Sequence, residues 1–189
     1  IGVVGPVRTG KSTFIKRFMD VMVIPGIRDE NVRARLTDEL PQSAAGRTIM
    51  TTQPRFIPNE AAMLEIENTR VKIRMADCVG YMVEGAVGHT ENNAPRMVRT
   101  PWFDYDIPFE DAAEIGTNKV ISEHSTIGIM VTTDGSITDI KRPAYVDAEE
   151  RVIAELKNTG RPFIVIVNST DPCGAEATEL AAALSEKYG

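Results

Sequence analysis

The run Gly5-Pro6-Val7-Arg8-Thr9-Gly10-Lys11-Ser12 constrains this chain more than any other stretch. It matches Gly-x-x-x-x-Gly-Lys-Ser at every fixed position, and it lies between a β-branched run, Ile1-Gly2-Val3-Val4, and a segment of helical periodicity. Glycines let the backbone curl until several N–H groups point inward, where they cradle phosphates. The helix that follows adds its positive N-terminal end. Lys11 supplies a point charge for β- and γ-phosphates, and Ser12 a hydroxyl for Mg²⁺. Every residue from Gly5 to Thr13 is therefore a candidate nucleotide contact: Gly5, Pro6, Val7, Arg8, Thr9, Gly10, Lys11, Ser12 and Thr13. Arg8 has three readings: a phosphate contact, a contact to a neighbouring subunit, or a solvated side chain.

The 189 residues fit a single domain with a full core. A net charge of −6, with no offsetting basic run, argues against nucleic acid as a partner. No apolar run is long enough to cross a bilayer, and no signal peptide is visible. The two cysteines, Cys78 and Cys173, form no disulfide framework or metal cluster, which points to a reducing cytosol. Ile1 begins inside an apolar run and Gly189 follows a helical pattern, so residues 1–189 are expected to be one nucleotide-binding domain cut from a longer chain.

Short β-branched runs alternate with amphipathic segments, the signature of an α/β fold with a mainly parallel sheet and helices on both faces. Ile1–Val4 reads as a strand. Phe14, Ile15, Phe18, Met19 and Met22 fall on one face of the next helix. A short helix is expected over 30–40, ended by Pro41. Segments 62–67 and 70–77 alternate like paired strands with Asn68-Thr69 at the turn, predicting one antiparallel hairpin. Residues 81–108, polar and carrying Pro95, Pro101 and Pro108, read as a long loop, which Trp102 either anchors to the domain or furnishes with an exposed contact patch. Helices are expected over 109–124, 146–160 and 175–188, with Val152, Ile153, Leu156, Leu180 and Leu184 inward and Gly160 as a C-terminal stop. The run 125–133 reads as a buried strand, and 162–168 as the clearest one. The pair Glu149-Glu150 reads as solvated helix surface.

Nucleotide chemistry needs more than a phosphate cradle. Asp77 ends an alternating strand and is followed by Gly80, an Asp-x-x-Gly in the order used by Ras-like GTPases. The aspartate would orient Mg²⁺ and the Gly80 N–H would meet a γ-phosphate. A rival Asp-x-x-Gly spans 171–174, and chain order favours 77–80. Thr48, Thr51 and Thr52 lie between the two motifs, where a threonine would sense the γ-phosphate. Asn168-Ser169-Thr170-Asp171 resembles a guanine-reading Asn-Lys-x-Asp loop without its lysine, whose stem would lie along the base. Asp171 could accept bonds from an exocyclic amine and a ring N–H, which suits guanine better than adenine, yet the residues alone leave the base open. A second match at 117–122 lacks the aspartate and sits in an expected helix. Tyr81 stands where Ras-like enzymes often carry a water-orienting glutamine, which leaves Thr51, Thr52, Glu84, His89 or a second subunit for that task.

The strings IGVVGPVRTGKSTFIKRF, GRTIMTTQPRFIPNEA, VKIRMADCVGYMVEGA and AEIGTNKVISEHSTIGIMVTTDGSITDI resemble the stage IV sporulation protein A family of endospore-forming bacteria, over nearly all 189 residues. The resemblance implies a P-loop NTPase of the translation-factor-like GTPase class that binds and hydrolyses ATP with Mg²⁺. It implies that hydrolysis drives irreversible self-assembly into the basement layer of the spore coat, on the forespore surface facing the mother-cell cytoplasm. It implies stage V sporulation protein M, a small membrane peptide, as anchor, and other coat proteins as partners. Lys11, Thr51, Thr52 and Asp77 would be the catalytic residues; Ser12, Thr51 and Asp77 would hold the metal; Gly80, Asn168 and Asp171 would join the ATP contacts. The lost lysine of the base loop would be shared by the family. A C-terminal part carrying membrane localisation and polymer contacts would lie outside these residues, so membrane contact is expected only indirectly or through that part.

Overall fold

Val3 and Val4 are both buried but belong to different apolar clusters, one on each face of a sheet. That alternation along one short strand sets the architecture. The structure, a computed structural model, describes residues 1–41, 53–66, 69–92 and 94–189. Thr48, Thr51, Thr52 and the turn residue Asn68 lie outside the described residues.

In chain order the elements are β1 (Gly2–Val4), α1 (Lys11–Phe18), a π-helical turn (Met19–Val23), α2 (Glu30–Asp38), β2 (Arg55–Ile66), β3 (Thr69–Asp77) and the two-residue strands β4 (Thr90–Glu91), β5 (Ala94–Pro95), β6 (Met97–Val98) and β7 (Ile107–Pro108). Then come α3 (Phe109–Ser122), β8 (Gly128–Thr133), a 3₁₀ turn (Arg142–Tyr145), α4 (Val146–Thr159), β9 (Phe163–Asn168) and α5 (Ala175–Tyr188). The main sheet has five strands in the order β2-β3-β1-β8-β9. β1 pairs parallel with β3 and β8, β8 pairs parallel with β9, and β2 is antiparallel to β3. The expected mainly parallel sheet with one hairpin is therefore present.

One face packs Met75, Ile129 and Val131 against Ile15 and Met19 of α1 and its π turn, with Leu36 of α2. The other packs Ala76 and Met130 against Val120 and Ile121 of α3 and Val152, Ile153 and Leu156 of α4. Helices thus cover both faces. The ordering of β1 in the middle brings the loops after β1, β3, β8 and β9 to one end of the sheet, the usual ligand edge of an open α/β sheet.

Several expectations are corrected. Met22 is 61% exposed, and Val23 is buried in its place. The π turn adds a residue per turn, so the inward positions step by four, through Ile15, Met19 and Val23, and the simple 3.6-residue face is lost. β2 begins at Arg55, well before the expected start; its pairing breaks between Ile57 and Ala62, around Pro58, which only an edge strand tolerates. β9 is half-buried rather than the clearest core strand, because it lies at the sheet edge with Ile164 56% exposed. Leu184 is buried while Leu180 is only half-buried. The 81–108 loop carries two small ribbons, β4–β5 and β6–β7. Trp102 lies under the Lys119 ammonium at 6.0 Å, which fixes this loop to α3.

Glu149 is also misjudged as solvated. It has no exposed surface, and its carboxylate meets the Arg142 guanidinium at 2.8 Å. It also accepts from the Thr132 hydroxyl at 2.6 Å and the Tyr188 hydroxyl at 3.0 Å. A buried charge persists only when paired and hydrogen-bonded on this scale. The network joins β8, the 3₁₀ turn, α4 and the end of α5. Gly160 behaves as expected, capping α4 in the left-handed region at φ 65°.

Candidate functional site

The Gly5–Gly10 loop leaves the central strand and enters α1 directly. Gly5 has φ 137°, and a Cβ there would lie 2.3 Å from the Val131 carbonyl oxygen, so only glycine lets this loop approach β8. The loop is internally tied. The Thr9 hydroxyl donates to the Pro6 carbonyl at 3.0 Å, and Lys11 Nζ donates to the same oxygen at 2.6 Å. Val7 and Thr9 are buried, Arg8 is half-exposed in a left-handed conformation at φ 62°, and Thr13 is exposed on the first turn of α1. Lys11 is 5% exposed, and burial lowers its pKa, opposed by electrostatic interaction with the neighbouring Cys78 and Asp77. A buried cation held against the Pro6 carbonyl is a strong site for an anion.

Asp77 arrives on β3, whose end sits beside Val3 in the sheet register. Its Oδ2 accepts from the Ser12 hydroxyl at 2.6 Å, across 65 residues of chain. Its buried Oδ1 accepts no hydrogen bond from the described residues. Burial raises the Asp77 pKa, while Ser12, Lys11, Arg55 and the Cys78 backbone oppose that rise. An orphaned carboxylate oxygen beside a serine hydroxyl at the foot of a phosphate loop fits the outer coordination of a divalent cation. Among the described residues no group of three or more His, Cys, Asp or Glu could hold a metal by itself, so phosphate oxygens would have to complete the coordination.

Gly80 lies directly over the loop: a Cβ there would be 2.2 Å from the Gly5 carbonyl oxygen and 2.6 Å from Lys11 Nζ. Its N–H donates to the Thr117 hydroxyl of α3 at 3.1 Å. The Tyr81 carbonyl accepts from the Val7 N–H at 2.9 Å, so this segment straps the phosphate loop. The Tyr81 side chain turns away into the helices, donating to both oxygens of Glu155 at 2.8 and 2.6 Å beneath the Arg151 guanidinium. Its phenol pKa is raised by burial and by Glu155. Glu84 is exposed, and His89 lies just before the β4–β5 ribbon.

The base loop splits. The Asn168 amide donates to the Thr9 carbonyl at 3.0 Å, which joins the end of β9 to the phosphate loop. Asp171 is exposed, its carbonyl accepting from the Gly174 N–H at the start of α5 and its N–H donating to the Ser169 hydroxyl. The loop after β8 buttresses this end: the Thr170 N–H donates to the Ser136 hydroxyl, which in turn donates to Asp134. Burial pushes the Asp134 pKa up, but hydrogen bonds from Ser136, Ser169 and Thr133 hold it below the usual range.

The structure therefore gathers Gly5, Pro6, Lys11, Ser12, Asp77, Gly80 and Asn168 around one loop. Asp171 stays at the exposed rim, and the threonines lie outside the described residues. The rival 171–174 motif opens α5 rather than facing Ser12, and the 117–122 match lies in α3, where Asn118 and Lys119 bond Glu155 and Glu123. Thr117 and the Tyr81 carbonyl were not anticipated. Nothing in the local sequence marks either, because both act through positions that only the fold brings together.

Compared with known proteins, residues 1–189 match the family described as stage IV sporulation protein A, ATPase domain. Stage IV sporulation protein A of Bacillus anthracis is 58% identical over 188 residues, covering 99% of this chain and 38% of that protein. The protein of that name from Bacillus subtilis is 58% identical over 189 residues, and that from Clostridioides difficile 56%, each covering 100% of this chain and 38% of the relative. The chain thus spans 38% of the length of these curated relatives. No helix among the described residues is long and apolar enough to cross a membrane.

Proposed function

The chain belongs to the stage IV sporulation protein A ATPase-domain family, and from that premise we propose that it binds ATP with Mg²⁺ at Gly5–Ser12 and hydrolyses it. The convergence of Lys11 Nζ, the Ser12 hydroxyl and the Asp77 carboxylate at the foot of one helix carries this reading. Loop N–H groups and Lys11 bind the β- and γ-phosphates, and the N-terminus of α1 adds its dipole. Ser12 and Asp77, with Thr51, would hold Mg²⁺, which when bound neutralises charge between the β- and γ-phosphates. Phosphate charge would favour the protonated Lys11 and oppose the burial that lowers its pKa.

The class is that of translation-factor-like GTPases, supported by the order of phosphate loop, hairpin and Asp77-x-x-Gly80. The choice of ATP over GTP is supported by the family's description as an ATPase domain, alongside Ser169 in place of the lysine. Thr51 and Thr52 are assigned to the γ-phosphate by the resemblance. Hydrolysis would switch the protein toward self-assembly in the spore coat, in contact with stage V sporulation protein M and coat proteins, at the forespore surface in the mother cell. Nucleotide competition on the purified chain tests the first step: tighter binding of GTP than ATP would overturn it. Thr51→Ala/Thr52→Ala should retain ATP and lose turnover.

A second reading is favoured by Tyr81. Its side chain is committed to Glu155, so it orients no water, and the domain could bind nucleotide as a scaffold with incidental hydrolysis. Full assembly by the double threonine variant, with turnover abolished, would select that reading.

A further inference from the structure

We propose that Thr117 is a positioning residue for the γ-phosphate: its hydroxyl holds the Gly80 N–H away from the phosphate loop, and a γ-phosphate must displace it. The proposal rests on the nucleotide-binding reading above. The Gly80 amide is the donor that the Asp77-x-x-Gly80 arrangement offers to a terminal phosphate, and here it is already spent on Thr117. Thr117 is fully buried on α3, and its own hydroxyl proton goes to the Ala113 carbonyl at 2.7 Å. The oxygen is thus oriented as an acceptor facing Gly80, and no water reaches it.

The backbone at Gly80 makes this an alternative state rather than a fixed scaffold bond. Gly80 sits at φ 96°, so close to the loop that a Cβ there would overlap the Gly5 carbonyl oxygen and Lys11 Nζ, and a peptide rotation, with no translation of the chain, would bring the N–H to the loop. Glycine permits such a rotation where other residues would be strained. On the other side, the Tyr81 carbonyl on the Val7 N–H and the Tyr81 phenol on Glu155 keep the strap in register while this one peptide turns.

The latch separates nucleotides by their terminal phosphate. ADP has no group for the Gly80 N–H and leaves the bond to Thr117 intact. A β,γ-imido analogue of ATP must break it. Removing the Thr117 hydroxyl should therefore tighten the analogue by about fivefold, the worth of one buried neutral hydrogen bond, and leave ADP within about twofold.

The test is titration of the purified chain with Mg·ADP and with the Mg·imido analogue, for wild type, Thr117→Val and Thr117→Ser. Selective tightening in Thr117→Val, reversed in Thr117→Ser, is the expected result. Equal change for both nucleotides, or none, overturns the latch. Loss of all nucleotide binding in the wild type sinks the nucleotide reading itself, which is a different failure. If Thr117→Val does not fold, the Gly80 amide resonance of the ¹⁵N-labelled wild type decides: it should move with the analogue and not with ADP, and an equal response to both rules the latch out.

Discussion

The two halves of the candidate site are built on opposite plans. The phosphate half, Gly5–Ser12 with Asp77 and Gly80, is largely buried, and every contact in it depends on backbone shape or on side chains fixed within hydrogen-bond reach. The base half, Asn168–Asp171, runs out to an exposed rim and is held by small hydroxyl side chains on surface loops. Phosphate is recognised by geometry that tolerates almost no substitution. A base edge is read by one or two side chains, and those can drift without loss of the fold. The missing lysine at Ser169 falls in the half where drift is cheap.

The sharpest way to break the contrast is to add one methyl group to each half. Gly5→Ala places its Cβ 2.3 Å from the Val131 carbonyl at φ 137°, and should cost at least about 3 kcal/mol, read as a collapse of the thermal transition. Lys11→Met comes next. Losing the buried cation's pairing with phosphate should weaken ATP by roughly 3 kcal/mol, about a hundredfold by titration. The nucleotide-free domain should melt no lower than wild type, because the cost of burying the ammonium, which lowers its pKa, is gone. A large drop in melting temperature would show that Lys11 holds the loop together and is no mere waiting ligand.

Asp77 gives a pH signature. Its folded pKa lies above the unfolded value because of burial, so its contribution is favourable below about pH 4 and is lost as pH rises through the folded pKa. The melting temperature of wild type relative to Asp77→Asn should therefore fall by a few degrees over that rise. Mg²⁺ with ADP should restore it. A difference flat with pH would place the Asp77 carboxyl in water instead.

In the base half the effects shrink. Asn168→Ala removes the tether to Thr9 and should weaken ATP and GTP alike, about fivefold, for one hydrogen bond of about 1 kcal/mol. Gly174→Ala is smallest. Its Cβ would come 2.4 Å from Asp171 Oδ2, but the backbone is ordinary at φ −69° and an exposed carboxylate can rotate aside, so the melting temperature should shift by only about a degree. A loss as large as that of Gly5→Ala would dissolve the distinction between the halves.

Much of the phosphate half was legible in the sequence because its physics is local. Gly5, Gly10, Lys11 and Ser12 act through spacing along one segment, and Asp77 declares itself by ending an alternating strand. The hairpin and the mainly parallel sheet follow from periodicity. What was misread depends on packing between distant segments. Met22 points outward because a π turn resets the phase, and β9 is half-exposed because strand order puts it at an edge. Glu149 looked like a surface carboxylate because Arg142, Thr132 and Tyr188 approach it from three other elements. Thr117 was visible only as a letter in a rejected motif; its meaning comes from the 37 residues that separate it from Gly80 closing into one contact.

The clamp between Trp102 and Lys119 has a practical consequence. The chain has a single tryptophan, and it rests on α3 two positions beyond Thr117. Its emission should therefore respond to any change in the packing of this loop on that helix. Any nucleotide-dependent movement that reaches α3 can then be followed in real time by stopped-flow fluorescence, with no label introduced and no residue of the phosphate loop altered.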